Sequence, residues 1–128
     1  MTKLKLGQIV NTISLLAQLS TTKLPIKVSY AVAKNVNKLE KELDFFNIEK
    51  NKMMDKYCEK NDDGTLKISE EGKAKILDQH LADWDKEYNE LLDIDIDIDI
   101  HKVQISKLDD AIQFTPNDLL KIEFMLED

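Results

Sequence analysis

Aspartate and isoleucine alternate strictly from residue 93 to residue 100, which gives the chain a row of regularly spaced carboxylates. On an extended strand, successive side chains point to opposite faces, so the isoleucines share one face and the carboxylates the other, about 6.6 Å apart. Such a row suits three roles: ligands for a hard cation, a mimic of nucleic-acid phosphates that binds a basic groove, or a solvated edge that resists aggregation. The candidate residues are Asp93, Asp95, Asp97 and Asp99.

A second segment, from Glu59 to Glu70, has the spacing of the calcium loop of an EF-hand. Oxygen-bearing side chains stand at the first, third and fifth positions, glycine at the sixth and glutamate at the twelfth. The glutamate at the first position and Lys67 at the ninth argue against calcium, because aspartate is needed first and a lysine competes with the cation. A turn with a short strand is the leading expectation for residues 60–69. The alternative is a cation site with the ligands Glu59, Asn61, Asp63, Thr65 and Glu70.

Other residue types that perform catalysis lack partners at a useful spacing. His80 and His101 have no second histidine or cysteine three or four positions away that could complete a transition-metal site. Cys58 is the only cysteine, so no internal disulfide can form, which fits a reducing compartment. Only three glycines are available for a phosphate-binding loop. The sequence therefore predicts a protein that is not an enzyme and uses no cofactor.

The charge balance favours basic protein partners. The chain has 128 residues, 42% of them hydrophobic, which suits one soluble domain over residues 1–128. Its formal charge of -7 opposes nucleic acid and anionic membranes, and all 18 basic residues are lysine, which cannot bind phosphate with two parallel hydrogen bonds as arginine does. No signal-peptide pattern opens the chain, and no apolar run reaches the length that crosses a bilayer. We expect a cytoplasmic protein that binds neither nucleic acid nor membrane.

Two helical seams dominate the middle of the chain. Pro25 fits the first turn of a helix over residues 25–57, and Ser69 fits the N-cap of a second helix over residues 70–92. With the turn between them, these helices are predicted to form a long antiparallel helical hairpin. The seam positions are Val32, Val36, Leu39, Leu43, Phe46, Met53 and Tyr57 in the first helix, and Ala74, Leu77, Leu81, Trp84, Tyr88 and Leu91 in the second.

The remaining elements flank this hairpin. An amphipathic helix is predicted over residues 6–20, with a short strand before it, and a β segment over residues 93–105. The apolar phase shifts at His101, so the chain must bulge or turn there. Thr115 is predicted to cap a final helix over residues 116–126. The expected fold is α+β, mostly α, with a small antiparallel β element and packing helices at both ends.

The final helix is apolar on nearly every side and must be covered by the hairpin or by another chain. Its residues Leu120, Phe124 and Met125, together with the four aspartates, are the predicted partner-binding residues. The uncovered seams of the hairpin also predict a homodimer.

Several short motifs occur along the chain. In their types and their order, the chain resembles small proteins of unknown function from tailed phages of low-GC Gram-positive bacteria. Where most of that group have glycine after a Lys-Tyr pair, this chain has Cys58. The motifs are Lys3-Leu4-Lys5-Leu6-Gly7-Gln8-Ile9-Val10, Leu24-Pro25-Ile26-Lys27-Val28-Ser29-Tyr30, Lys38-Leu39-Glu40-Lys41-Glu42-Leu43, Lys56-Tyr57, Tyr88-Asn89-Glu90-Leu91-Leu92, the connector from Ser106 to Asp109, and Thr115-Pro116-Asn117-Asp118-Leu119-Leu120.

Within this group the chain is similar to an early, non-structural protein of lactococcal phages. The resemblance implies a protein of the host cytoplasm that binds a host protein and is sensed by a host abortive-infection system through the protein AbiV. It supplies no functional residues to carry over. Two other functions stay open from the sequence: a Ca²⁺- or cation-binding helix-loop-helix module, and a virion-assembly chaperone.

Overall fold

Over the described residues, 1–108 and 113–128, the chain forms helices and two small β-sheets in a computed structural model. The predicted α+β, mostly α fold is confirmed, and the predicted first helix has the expected bounds. In chain order the elements are β1 (Thr2–Lys5), α1 (Leu6–Ser20), α2 (Ile26–Tyr57), α3 (Leu81–Leu92), β2 (Asp95–Ile98), β3 (Val103–Gln104), α4 (Pro116–Lys121) and β4 (Leu126–Glu127).

The long helix α2 packs against both α1 and α3, and α1 in turn contacts α3, α4 and β1. Its apolar stripe is buried along the whole length, from Val28 near the start to Tyr57 at the end. Pro25 precedes the first helical residue rather than occupying the first turn, and its carbonyl accepts a hydrogen bond from the Ser29 amide. The helix ends at Tyr57 because Cys58 adopts an extended conformation.

The predicted second helix over residues 70–92 is wrong in its first part, since α3 begins at Leu81. Two tight turns occupy the preceding segment. The Gly64 amide donates to the Asn61 carbonyl, and the Gly72 amide donates in the same way to the Ser69 carbonyl. Both glycines have positive φ, +88° and +79°, which L side chains rarely adopt. Ser69 therefore belongs to a turn and does not cap a helix.

Isolated antiparallel bridges on either side of these turns fold residues 58–76 into a double hairpin. The bridges pair Cys58 with Ile76, Lys60 with Leu66, and Ile68 with Ala74. A helix starting at residue 70 would break these pairings. The expected turn lies within residues 60–69, but the segment has isolated bridges in place of the expected short strand.

The strands β1 and β2 pair in antiparallel fashion, with Leu4 opposite Ile96 and Lys5 opposite Asp95. The apolar side of the ladder faces the core as the alternation predicts: Ile96, Ile98 and Ile100 are buried. Ile94, at the start of the ladder, is 38% exposed. The strand β2, which follows α3, is thus paired with β1, the first strand of the chain.

At His101 the strand phase breaks as predicted, and a buried asparagine on α2 accommodates the break. The Asn35 amide group donates to the His101 carbonyl over 3.0 Å, and the His101 amide donates to Asn35 Oδ1 over 2.8 Å. Both Ile100 and Val103, on either side of the break, are therefore buried despite their opposite parity. Asn35 replaces a strand partner for this one residue.

The last predicted helix, over residues 116–126, is also wrong in length. Thr115 caps it as expected, because its hydroxyl accepts from the Asp118 amide over 3.1 Å. The helix α4 ends at Lys121, a 3₁₀ turn follows, and β4 pairs in parallel with β3. This break lets Ile122 and Met125 enter the core, where they are 1% and 2% exposed. The predicted connector at Ser106 to Asp109 ends outside the described residues.

Candidate protein-interaction surfaces

The four aspartates of the ladder are all exposed, and two lysines form ion pairs with three of them. Lys5 Nζ lies 3.1 Å from Asp93 Oδ1 and 3.0 Å from Asp95 Oδ1. Lys38 Nζ lies 3.6 Å from Asp99 Oδ2 and also donates to the Asp99 carbonyl. Only Asp97 has no ion pair among the described residues. The row is therefore a mixed-charge surface rather than a bare line of four charges.

The antiparallel register explains why Lys5 reaches the ladder. Lys5 and Asp95 face each other as a pair without mutual backbone hydrogen bonds, a position at which side chains come closest. Hydrogen bonds from Lys5 lower the pKa of Asp95, and hydrogen bonds to Asp95 and then Asp93 raise the pKa of Lys5. The alternating Lys3-Leu4-Lys5-Leu6 run was the sequence signal for this pairing, since it complements the Asp/Ile alternation residue for residue.

The side chains of the calcium-like loop bind one another. Asp63 Oδ1 accepts from the Thr65 amide and hydroxyl over 3.0 and 2.6 Å, and these bonds lower the pKa of Asp63. The Asn61 amide donates to Thr65 Oγ1, and Glu59 lies 3.5 Å from Lys67. Glu70, the twelfth residue of the segment, lies in the turn that Gly72 closes, whereas Asn61 and Asp63 lie in the turn that Gly64 closes. In residues 1–108 and 113–128, no three His, Cys, Asp or Glu side chains cluster as metal ligands.

The predicted partner-binding residues of the last helix divide between the surface and the core. Leu120 is 68% exposed, whereas Met125 is 2% exposed and its sulfur lies 3.8 Å from the Asn35 amide nitrogen. Met125 is therefore a core residue, and its prediction as a binding residue is wrong. It turned inward because the helix ends before it and a 3₁₀ turn resets the direction of its side chain.

Leu120 and the half-buried Phe124 lie at a surface groove beside the first strand. The groove has a volume of 390 Å³. One wall is β1 with the start of α1, and the other is α4 with the turn after it. The lining residues are Thr2, Lys3, Leu4, Gln8, Asn11, Leu120, Lys121, Glu123 and Phe124.

A polar and aromatic cluster joins the end of α2 to α3, and sequence reasoning did not identify it. Glu87 Oε1 accepts from the Tyr57 hydroxyl over 2.8 Å and from Lys56 Nζ over 2.9 Å. These bonds, from Lys56 first and Tyr57 second, lower the pKa of Glu87. The His80 ring packs 5.2 Å from the Tyr57 ring, and Trp84 stacks on Tyr88 at 5.9 Å. The cluster joins the end of α2 to α3 through hydrogen bonds and ring contacts.

Comparison with known proteins adds no relative from which a role could be transferred. No family model matches the chain, and neither the curated proteins nor the solved structures include a significant match. Among the helices in the described part of the chain, none is long and apolar enough to cross a membrane.

Proposed function

We propose that this chain is an early, non-structural phage protein that acts in the host cytoplasm by binding a host protein and performs no catalysis. The observation that carries the proposal is the groove in which exposed Leu120 and half-buried Phe124 lie beside an open strand. An apolar groove with a polar rim is the kind of surface that proteins use to bind other proteins. The phage assignment rests on the resemblance of the ordered sequence motifs.

The resemblance also names a partner, and we propose that the abortive-infection protein AbiV binds this chain. Complete burial of a leucine side chain contributes about 1.5–3 kcal/mol, so covering Leu120 would supply at most about a third of the roughly 8 kcal/mol of micromolar binding. The exposed carboxylates of Asp97 and Asp99 are not among the groove lining residues, and their main effect would be on the association rate.

The proposal is tested by calorimetric titration of purified AbiV into the purified chain and two variants. We expect micromolar or tighter binding, and a loss of about tenfold or more for Leu120→Asp, because a buried carboxylate opposes docking. Ile26→Asp is the matched control, since Ile26 is 84% exposed and lies outside the groove lining. Absence of binding by the unchanged chain would remove AbiV as the partner.

We also propose that the chain forms a homodimer through the outer face of α2. Phe45 and Ile48 are 41% and 55% exposed, and they lie one helical turn apart. Light scattering at about ten micromolar or above should give twice the 14.8 kDa mass of one chain, and Ile48→Glu should return it to one chain. A single-chain mass for the unchanged protein would refute the dimer.

A further inference from the structure

The outer edge of β1 has backbone groups that face away from its partner strand. Within the described residues the sheet has two strands, so each strand has one edge without a strand partner there. The Leu6 amide donates to the Ile94 carbonyl over 2.9 Å, which places the even-numbered residues in register for bonding to β2. By the alternation of an antiparallel ladder, the amide and carbonyl of Lys3 point to the open edge.

The same alternation accounts for the neighbouring Lys5 amide, which also points outward. It donates to Gln8 Oε1 over 2.7 Å, and Gln8 belongs to the first turn of α1. The side chain of Gln8 therefore closes one end of the open edge. Lys3, whose backbone groups also point outward, is one of the groove lining residues.

The groove lies against this edge, so its lining residues restrict the side chains that an added strand could have. Leu4 is 2% exposed and points to the core side, where Leu120 and Phe124 form the opposite wall. A strand added beside β1 would place every second side chain on that apolar side. The side chains that face Leu120 and Phe124 are expected to be apolar, although the groove lining also includes the polar side chains of Gln8 and Asn11.

The opposite face of the sheet requires negative charge on the added strand. Lys3 projects on the solvent side with Lys5, and it makes no ion pair within the described residues. On the other side of β1, the chain meets these lysines with Asp95 and Asp97 of its own second strand. Lys121 adds a further cation in the groove lining, against the single carboxylate of Glu123.

We propose that β1 accepts a third strand at its open edge: an extended segment of a partner protein in which apolar residues alternate with acidic ones. The added strand bonds to the backbone of Lys3, places its apolar side chains against Leu120 and Phe124, and places its carboxylates beside Lys3. This is strand addition to a sheet edge, in which the backbone supplies affinity and alternate side chains supply specificity. The inference rests on the proposed function, because the segment would belong to the bound host protein.

The test uses a capped peptide of about six residues, the usual length of a strand, in which valine alternates with glutamate. It is titrated into the full chain while amide chemical shifts are recorded. We expect saturable binding, with the largest shifts at Lys3, Leu4, Leu120 and Phe124. The matched control peptide has lysine in place of glutamate and should bind at least about tenfold more weakly.

Two variants separate the backbone contact from the groove contact. Lys3→Pro removes the outward amide hydrogen, and it should weaken peptide binding by about tenfold relative to Lys3→Ala, which keeps that hydrogen. Leu120→Asp should weaken binding without touching the strand, so the inference stays testable if Lys3→Pro perturbs β1. Thermal unfolding of each variant reports whether the fold is retained.

Three results would overturn the inference: no saturable binding below about 1 mM, equal binding of the lysine peptide, or shifts confined to the open edge of β2. Its failure is distinguishable from failure of the proposed function. The inference alone is refuted if AbiV binds the chain, the peptide does not displace it, and Lys3→Pro does not weaken its binding. If the peptide binds at β1 and AbiV does not bind, the inference stands and the proposed partner falls.

Discussion

Asn35 shows how one polar residue in the core determines the path of the chain. It lies in the apolar stripe of α2, is fully buried, and makes two hydrogen bonds to the backbone of His101 and one contact to the sulfur of Met125. A buried amide is tolerated only if its polar atoms are paired, and here the pairing joins three distant parts of the chain. The asparagine therefore specifies where the strand phase breaks.

Replacing Asn35 by leucine should lower the free energy of unfolding by at least about 2 kcal/mol, because the amide and carbonyl of His101 lose their partners inside the protein. Chemical denaturation monitored by Trp84 fluorescence measures the change. The control is Asn37→Leu, since Asn37 is exposed on the same helix, and it should stay within about 0.5 kcal/mol of the unchanged chain. Equal effects of the two substitutions would contradict the role given to Asn35.

The double hairpin of residues 58–76 lies partly where the apolar seam pattern predicted a helix. Ala74 and Leu77 keep the spacing of the helical seam of α3, so their periodicity reads as helix. The backbone bridges between Cys58 and Ile76, and between Ile68 and Ala74, are contacts between residues far apart in the segment. Local periodicity cannot reveal such pairings, and Gly72 was the one local sign that a helix would not continue through this segment.

Substituting alanine at Gly64 or Gly72 should cost about 1–2 kcal/mol each, because both glycines have positive φ, which is unfavourable for a residue with a Cβ. A Cβ at either position would meet no atom within 4 Å, so the cost is one of backbone conformation alone. Asparagine at the same positions should cost less, since it tolerates this conformation. Denaturant titration of the four variants checks the order, and a larger cost for asparagine than for alanine would refute it.

The junction between α2 and α3 should make stability depend on pH. The pKa of Glu87 is lower in the folded chain than in the unfolded one, because Lys56 and Tyr57 bond to its carboxylate. Its stabilisation is therefore complete above the unfolded value of about 4.3 and is lost as the pH falls through the lower folded value. Glu87→Gln should reduce the decline of melting temperature below about pH 4.3.

The control for this substitution is Glu90→Gln, which removes an exposed carboxyl from the same helix. It should leave the acid decline of melting temperature unchanged. The interpretation of the junction fails if both variants follow the same pH profile as the unchanged chain, measured by circular dichroism in buffers of constant ionic strength.

At the scale of the whole molecule, the strongest local patterns predicted most of the fold. The helix over 6–20, the long α2 and the alternating strand follow from periods that extend over many residues. The exposure of Leu120 fits the prediction of an apolar final helix after the Thr115 cap, and its role in binding stays a prediction. The burial of Met125 and the ion pairs of Lys5 were not predicted, because the burial or partner of a side chain depends on elements that are distant in sequence.

We propose that the four ladder aspartates face a basic part of AbiV, separate from the acidic segment that pairs with β1, so that they act through their position and not only through the net charge of -7. Replacing Asp93, Asp95, Asp97 and Asp99 by asparagine should slow association with AbiV by about tenfold at low salt, with a smaller difference at high salt. Surface plasmon resonance at two ionic strengths measures the rates.

The matched control for that variant removes four exposed carboxylates elsewhere, so that both variants have the same net charge. An equal loss of association rate in the two variants would show that position is irrelevant. The control substitutions are Glu40→Gln, Asp44→Asn, Asp55→Asn and Glu90→Gln.

The pairing of Thr2 with Ile98 has a consequence for how the chain folds as it is made. The first strand leaves the ribosome early, yet its partner is translated nearly a hundred residues later, a delay on the order of ten seconds at common elongation rates. During that interval Leu4 and the edge of β1 are open to other proteins. A nascent chain of this design would depend on α1 and α2 to cover its apolar residues, and a chaperone would have its best opportunity to bind before the aspartate ladder emerges.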